Sequence, residues 1–293
     1  IMSERKSKIL FSISMLIFGT IAVFVRYIPI SSGELALFRA ILAATLIGFF
    51  LLLTKQKITI KNTKIELPLI ILSGIAMGFN WILLFQSYRY TTVSVATLSY
   101  YFAPVIVTML CPIIFKEKME LRQWLCFIFS TIGIVLITGL GDLSSNNSHF
   151  IGILYGLGAA ILYATVILIN KAIKSIEGIQ RTFLQFLSAI AVLLPYVLLT
   201  TGIHLEGLGS IGWIYLLIVG LIHTGITYCM YFSSLKNLKG QTVAILSYID
   251  PLVAVLISVI VLKESITWVQ IIGGLLIIGF TLWNEITSNK KDK

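Results

Sequence analysis

Charge is the scarcest property of this sequence. Asp, Glu, Lys and Arg make up 12% of its 293 residues, against about 25% in a soluble domain. That deficit argues against a water-soluble enzyme wrapped in a charged shell. Cysteine is nearly absent as well. Cys111, Cys126 and Cys229 are odd in number and all lie in apolar stretches, so buried packing is expected and a disulfide framework is not. The cysteines and the three histidines form no group with metal-ligand spacing. No Gly-rich loop leads into Lys and Ser or Thr, so the signature of an ATP engine is missing, and no nucleophile elbow occurs. No cofactor and no metal are expected.

Long apolar runs fill the space that charge leaves. The chain is 58% hydrophobic with a mean hydropathy of +0.98. About 20 apolar residues cross a bilayer as a helix, and backbone groups at that depth must be bonded within the segment. Ten spans are expected, near 9–27, 34–54, 68–88, 93–115, 120–139, 150–171, 181–201, 210–233, 240–262 and 265–285. A basic start before the first run imitates a signal peptide. The length of that run and its counterpart later in the chain favour a retained helix.

The formal charge of +10 would suit nucleic acid, but its placement points elsewhere. With ten spans and the N-terminus in the cytoplasm, eighteen of the 22 Lys and Arg fall in inside segments. Outside loops hold Arg26, Arg89 and Lys263, and Arg39 lies within a span. This is the positive-inside bias of a multi-pass protein of the cell membrane with both termini cytoplasmic. The expected partners are membrane lipids and a small-molecule substrate, with no nucleic acid.

The second half echoes the first. Val95-Ala96-Thr97-Leu98-Ser99-Tyr100 precedes Pro104 and Phe115-Lys116-Glu117; Val243-Ala244-Ile245-Leu246-Ser247-Tyr248 precedes Pro251 and Leu262-Lys263-Glu264. Gln123 and Gln270 follow the two glutamates at equal spacing, and Gly78-Phe79-Asn80-Trp81 with Phe85 aligns with Gly225-Ile226-Thr227-Tyr228 with Phe232. Five helices per copy force the copies to lie upside down relative to each other. The fold expected is an all-α integral membrane protein of ten transmembrane helices in two inverted five-helix repeats. The first repeat is 1–140, the second 150–293, and a Ser- and Asn-rich connection, 141–149, joins them. That architecture is common among secondary transporters. Gly74-xxx-Gly78 and Gly152-xxx-Gly156 let helices approach closely; packing within the bundle is favoured, and a homodimer stays open.

Ionisable groups inside spans are costly and usually functional. Asp250 lies mid-span just before Pro251, where a proline loosens the helix. It is a candidate site for a proton or a cation, with pairing to Arg39 as the structural alternative. Arg39 is a candidate for an anionic substrate group, or a counter-ion of Asp250 or Glu34. Glu34 is expected to be a solvated helix end. His223 is a candidate proton relay, although a lone histidine is more often packed and hydrogen-bonded. Asn80, Trp81, Tyr100, Tyr163, Tyr228 and Tyr248 sit at mid-span depth, where their polar tips need partners and their rings can stack on a solute or a cation. Tyr101 and Tyr231 belong to the same set. Trp124, Trp213, Trp268 and Trp283 read as interface anchors. Pro104 and Pro251 are matched mid-membrane breaks, expected to act as hinges.

At these residues the chain resembles the EamA family of the drug/metabolite transporter superfamily. The resemblance rests on the duplication, the Arg39 region, Pro104 and Pro251, Glu117 and Glu264, and the acidic Asp250 before Pro251. Cys126 stands where glycine is usual in the first repeat, and Phe18-Gly19 and Tyr163-Ala164 stand where Trp-Gly is often seen. The resemblance implies a central cavity lined by spans 1–4 and 6–9, with spans 5 and 10 peripheral. It also implies movement of small organic metabolites by alternating access rather than catalysis. Export of amino acids or related solutes, with proton coupling open, is the first reading. Import of a choline-like quaternary ammonium compound is the second. A channel or a lipid-modifying membrane enzyme ranks below both.

Overall fold

A computed structural model describes residues 3–56, 58, 63–115, 120–138, 147–173, 175–176, 178–235, 238 and 246–291. Lys57, Lys61, Lys116, Glu117, Lys118, Lys174, Lys236, Lys239, Lys293, Val243 to Ile245 and 141–146 of the expected connection lie outside the described residues, as does the side chain of Cys111. The described chain is helical throughout. The first three helices are α1 (Glu4–Arg26), α2 (Ser32–Leu53) and α3 (Thr63–Tyr90). The expected fourth span is divided into α4 (Val93–Tyr100) and α5 (Ala103–Phe115). Next come α6 (Leu121–Thr138), α7 (Asn147–Ala172) and α8 (Gly178–Thr200). The expected eighth span is composite: a 3₁₀ turn at Leu205–Leu208, α9 (Gly209–Leu217), a π-helical stretch at Ile218–Ile226 and α10 (Thr227–Leu235). The last two are α11 (Ile249–Ile260) and α12 (Trp268–Lys291). The helix α7 begins at Asn147, inside the connection expected at 141–149.

Among the described residues six helical segments are long and apolar enough to cross a membrane: Glu4–Arg26, Ser32–Leu53, Lys64–Tyr90, Asn147–Asn170, Gly178–Thr200 and Leu205–Ser234. Four shorter apolar ones, Val93–Val107, Leu121–Leu136, Ile249–Ile260 and Trp268–Asn284, fall at the expected fourth, fifth, ninth and tenth spans. Large apolar side chains point outward, among them Leu199 (85% exposed), Leu52 (77%) and Phe49 (62%). Surfaces of this kind need a non-aqueous partner, which lipid supplies. Trp124, Trp213, Trp268 and Trp283 are also exposed.

The packing repeats itself between the halves. The helix α1 packs on α10 and α11, and its counterpart α7 packs on α3 and on α4 with α5. The helix α2 packs on α8 and the π stretch, and α8 packs on α2 and α3. The pair α6 and α12 lie against each other, with the Phe129 and Phe280 rings stacked 4.3 Å apart. A Cβ on Gly78 would sit 3.1 Å from Leu193 Cγ, and one on Gly225 would sit 3.2 Å from Leu46 Cβ. The register that pairs Gly78 with Gly225 also pairs Leu193 with Leu46, so the two contacts are one contact made twice.

The equal spacing of Gln123 and Gln270 in the two halves has a capping explanation. Gln123 Oε1 accepts the Glu120 N–H at 2.7 Å, and Gln270 Oε1 accepts the Thr267 N–H at 3.0 Å. Each glutamine sits three residues into its helix and satisfies a donor that the helix start leaves free. Glu34 is a second case. It was expected to be solvated, yet it is 3% exposed. It forms a capping box with Ser31 and accepts the His204 N–H at 2.6 Å, which ties α2 to the chain after α8.

Candidate functional site

The expected fourth span breaks just before Pro104. The helix α4 ends at Tyr100, Tyr101 and Phe102 form a turn, and Pro104 enters in the first turn of α5, where its missing N–H costs nothing. In the expected ninth span Tyr248 forms the break, and Pro251 again lies in the first turn that follows. Three residues separate Tyr100 from Pro104 and two separate Tyr248 from Pro251, so the first copy carries an additional residue at its break. The turn presents Tyr101, whose hydroxyl donates to Asp250 Oδ2 at 2.7 Å. The two breaks thus meet across the repeat boundary.

Asp250 is half-buried. Its backbone carbonyl lies against α1, where a Cβ on Gly19 would come within 2.7 Å of it. Tyr88, Tyr100, Tyr101 and Tyr228 lie within electrostatic range of its carboxylate. The Tyr100 and Tyr163 rings stack at 5.2 Å, and Tyr100 meets Tyr101 edge-on at 6.1 Å. Sequence reading omitted Tyr88 from the candidates. It is 6% exposed and lies within electrostatic range of both Asp250 and Arg39.

Arg39 is 5% exposed. Its Nε–H donates to Thr224 Oγ1 at 2.7 Å, and its guanidinium lies 4.4 Å from the centroid of Trp81 and 5.5 Å from that of Phe85. The π stretch makes the first contact available. Thr224 and Thr227 donate to the carbonyls of Val219 and Ile222, five residues back, each at 2.7 Å. Such wide turns are frequent at functional sites. Neither counter-ion expected for Arg39 is in place. Among the described residues no carboxylate lies within ion-pair distance of it, and Glu34 and Asp250 have the partners given above. Tyr88, Tyr100 and Tyr228 lie within electrostatic range of its charge, so Arg39 and Asp250 face the same tyrosines.

The remaining candidates divide. Tyr228 contacts Phe18 and Phe186 edge-on at 5.3 and 5.5 Å, and Trp81 contacts Phe186 at 5.3 Å. These join the Arg39 group. Asn80 is committed elsewhere, with its Nδ2 donating to the Ala159 carbonyl at 2.6 Å and clamping α3 to α7. His223 is 2% exposed, with Nε2 2.8 Å from Thr20 Oγ1, Nδ1 3.3 Å from the Ile218 carbonyl oxygen, and Phe24 5.0 Å away. Both ring nitrogens are therefore occupied, and no hydrogen bond joins His223 to Asp250 among the described residues. Tyr248 is buried at its break.

At the end of the bundle that carries Arg26, Glu264 gathers several elements. It pairs with Arg26 of α1, accepts the Val93 N–H at the start of α4 at 2.8 Å, and accepts the Ser258 hydroxyl of α11. A carboxylate is favoured at a helix N-terminus. Nearby, Arg89 donates to the Ile30 carbonyl, and Thr91 Oγ1 lies 2.7 Å from His149 Nδ1. At the opposite end a cavity of about 490 Å³ is lined by Phe50, Gln56, Ile179, Gln180, Phe232 and Ser233 among others.

Comparison with known proteins agrees with this arrangement. A model of the EamA-like transporter family matches residues 5–139 and 150–284. A Bacillus subtilis protein named uncharacterized transporter YxxF is 31% identical over 266 residues, which is 89% of this chain and 84% of that one. Protein PecM of Dickeya dadantii is 24% identical over 209 residues, 70% and 69% of the two chains. A solved crystal structure superposes with a TM-score of 0.64 at 13% identity and covers 99% of both chains, which shows a shared fold.

Proposed function

The chain belongs to the EamA-like transporter family and is a multi-pass membrane transporter; from that premise we propose that it moves a small organic solute, an amino acid or a related metabolite, by alternating access. In this reading ten helices cross the cytoplasmic membrane as two inverted repeats, 1–140 and 150–293, with both termini in the cytoplasm. Export is the direction favoured, and Asp250 is the site of proton or cation coupling. The observation that carries the reading is the cluster of Arg39, Trp81, Tyr100, Tyr228 and Asp250, which draws on both repeats and lies beside the two helix breaks. Breaks at equivalent places in two copies are where such proteins bind their cargo. Flux is measured in proteoliposomes holding the purified full chain and radiolabelled amino acids, with and without an imposed pH gradient. Saturable flux that the gradient accelerates supports the reading, and flux that never saturates would favour a channel.

A choline-like cationic solute is the second reading. The observation favouring it is the carboxylate of Asp250 beside the stacked Tyr100 and Tyr163 rings, a setting suited to a quaternary ammonium group. Thermal stabilisation by choline and not by amino acids would select it.

A further inference from the structure

We infer that Arg39 is the docking point for a carboxylate of the transported solute, an inference that rests on the reading of the chain as a small-solute transporter. The guanidinium keeps its proton under all ordinary conditions. It is 95% buried by the exposure given above, and only its Nε–H is answered, by Thr224. Among the described residues neither terminal nitrogen has a hydrogen-bond partner, and no carboxylate stands within ion-pair distance. Trp81 and Phe85 cover the guanidinium face without neutralising the charge. A buried cation in this condition is costly unless a counter-charge arrives.

The second repeat supplies an internal control. The register that pairs Gly78 with Gly225 and Trp81 with Tyr228 pairs Arg39 with Phe186. Phe186 is fully buried and rests on both Trp81 and Tyr228. Packing at this place is therefore satisfied by a phenylalanine, and the charge of Arg39 is surplus to the fold. Two terminal nitrogens, coplanar and held in orientation by Thr224 and Trp81, match the two oxygens of a planar carboxylate. The surrounding rings of Trp81, Phe186 and Tyr228 suit an apolar body attached to it.

The test uses the purified full chain in detergent and matched pairs of probes: acetate with acetamide, benzoate with benzamide, and indole-3-acetate with indole-3-acetamide. At saturation at least one carboxylate is expected to raise the Tm by about 5 °C while its amide does not. Arg39→Gln is expected to abolish that rise, and Arg39→Lys, which keeps the charge but not the fork, to weaken binding roughly 10-fold. Without ligand, Arg39→Gln is expected to melt no lower than the parent, because it removes an uncompensated charge. A lower ligand-free Tm in Arg39→Gln would make the arginine structural and overturn the inference. So would amides that match the carboxylates, a series in which no carboxylate acts, or a shift that survives Arg39→Gln. Flux separates the two readings. Saturable transport that persists in Arg39→Gln sinks the carboxylate site alone. A carboxylate shift lost in Arg39→Gln, with no flux of any solute, sinks the transport reading alone.

Discussion

Arg39 and Phe186 stand at equivalent places in the two halves of the chain and both rest on Trp81, while Tyr228 contacts Phe186 and lies within electrostatic range of Arg39. The duplicated fold thus builds a nearly two-fold frame and then breaks its symmetry at the centre, with a cation on one side and a ring on the other. A second asymmetry lies close by. The acidic Asp250 has Ala103 as its counterpart before Pro104, and the additional residue of the first break brings Tyr101 to meet it.

Phe186→Ala is expected to lower stability by about 3 kcal/mol, because a fully buried ring leaves a void among Trp81, Tyr228 and α3. Reversible unfolding in mixed micelles measures the loss. A change below about 1 kcal/mol would mean that Tyr228 collapses into the gap.

Gly19→Ala is expected to destabilise by about 1–3 kcal/mol despite alanine's better helix propensity. The new Cβ would lie 2.7 Å from the Asp250 carbonyl oxygen and 2.7 Å from Val253 Cβ, and neither atom can swing away. Thermal unfolding checks this; an unchanged or higher Tm would show that α1 and α11 can part without cost.

Much of this was legible from residue spacing. The matched prolines marked the two breaks, and equal spacing marked Gln123 and Gln270 although nothing in the spacing said that they cap helices. Periodicity could not reveal what depends on dissimilar partners. Arginine and phenylalanine share no chemistry, so their equivalence emerges only when both are seen against Trp81. Glu34 looked solvated because it begins a span, yet Ser31 three residues earlier completes a capping box that the sequence did contain. The longer interval from Tyr100 to Pro104 than from Tyr248 to Pro251 was likewise a readable sign that Tyr101 had been added at the break. Depth alone singled out Asn80 and could not show that its amide answers a carbonyl on α7.

Glu264→Gln is expected to loosen the end of the bundle that carries Arg26. The carboxylate joins Arg26, the start of α4 and Ser258, and an amide keeps the shape while losing the charge that holds all three. In a background with Cys111, Cys126 and Cys229 replaced, Ser94→Cys reports on this place, since Ser94 is 1% exposed and its N–H reaches Ser258. Labelling by a membrane-impermeant maleimide is expected to quicken several-fold in the Gln variant. An unchanged rate would mean that Arg89 and Thr91, with their own ties at this end, hold it closed unaided.

Asp250→Asn tests coupling, and its logic depends on what Asp250 lacks. Its carboxylate is answered by the Tyr101 hydroxyl, and no Lys or Arg lies within ion-pair distance among the described residues. A lone intramembrane carboxylate can be relieved by taking up a proton or a solute cation. Asparagine retains an acceptor for Tyr101 and removes both options. The expected outcome is that solute exchange across proteoliposomes persists at a reduced rate while acceleration by an imposed pH gradient disappears. Tyr101→Phe serves as the companion, because it deletes the hydrogen bond and leaves the carboxylate in place. Gradient dependence kept in Tyr101→Phe and lost in Asp250→Asn assigns coupling to the carboxylate itself. Dependence kept in both variants would remove Asp250 from the coupling step and leave it a structural link between the two helix breaks.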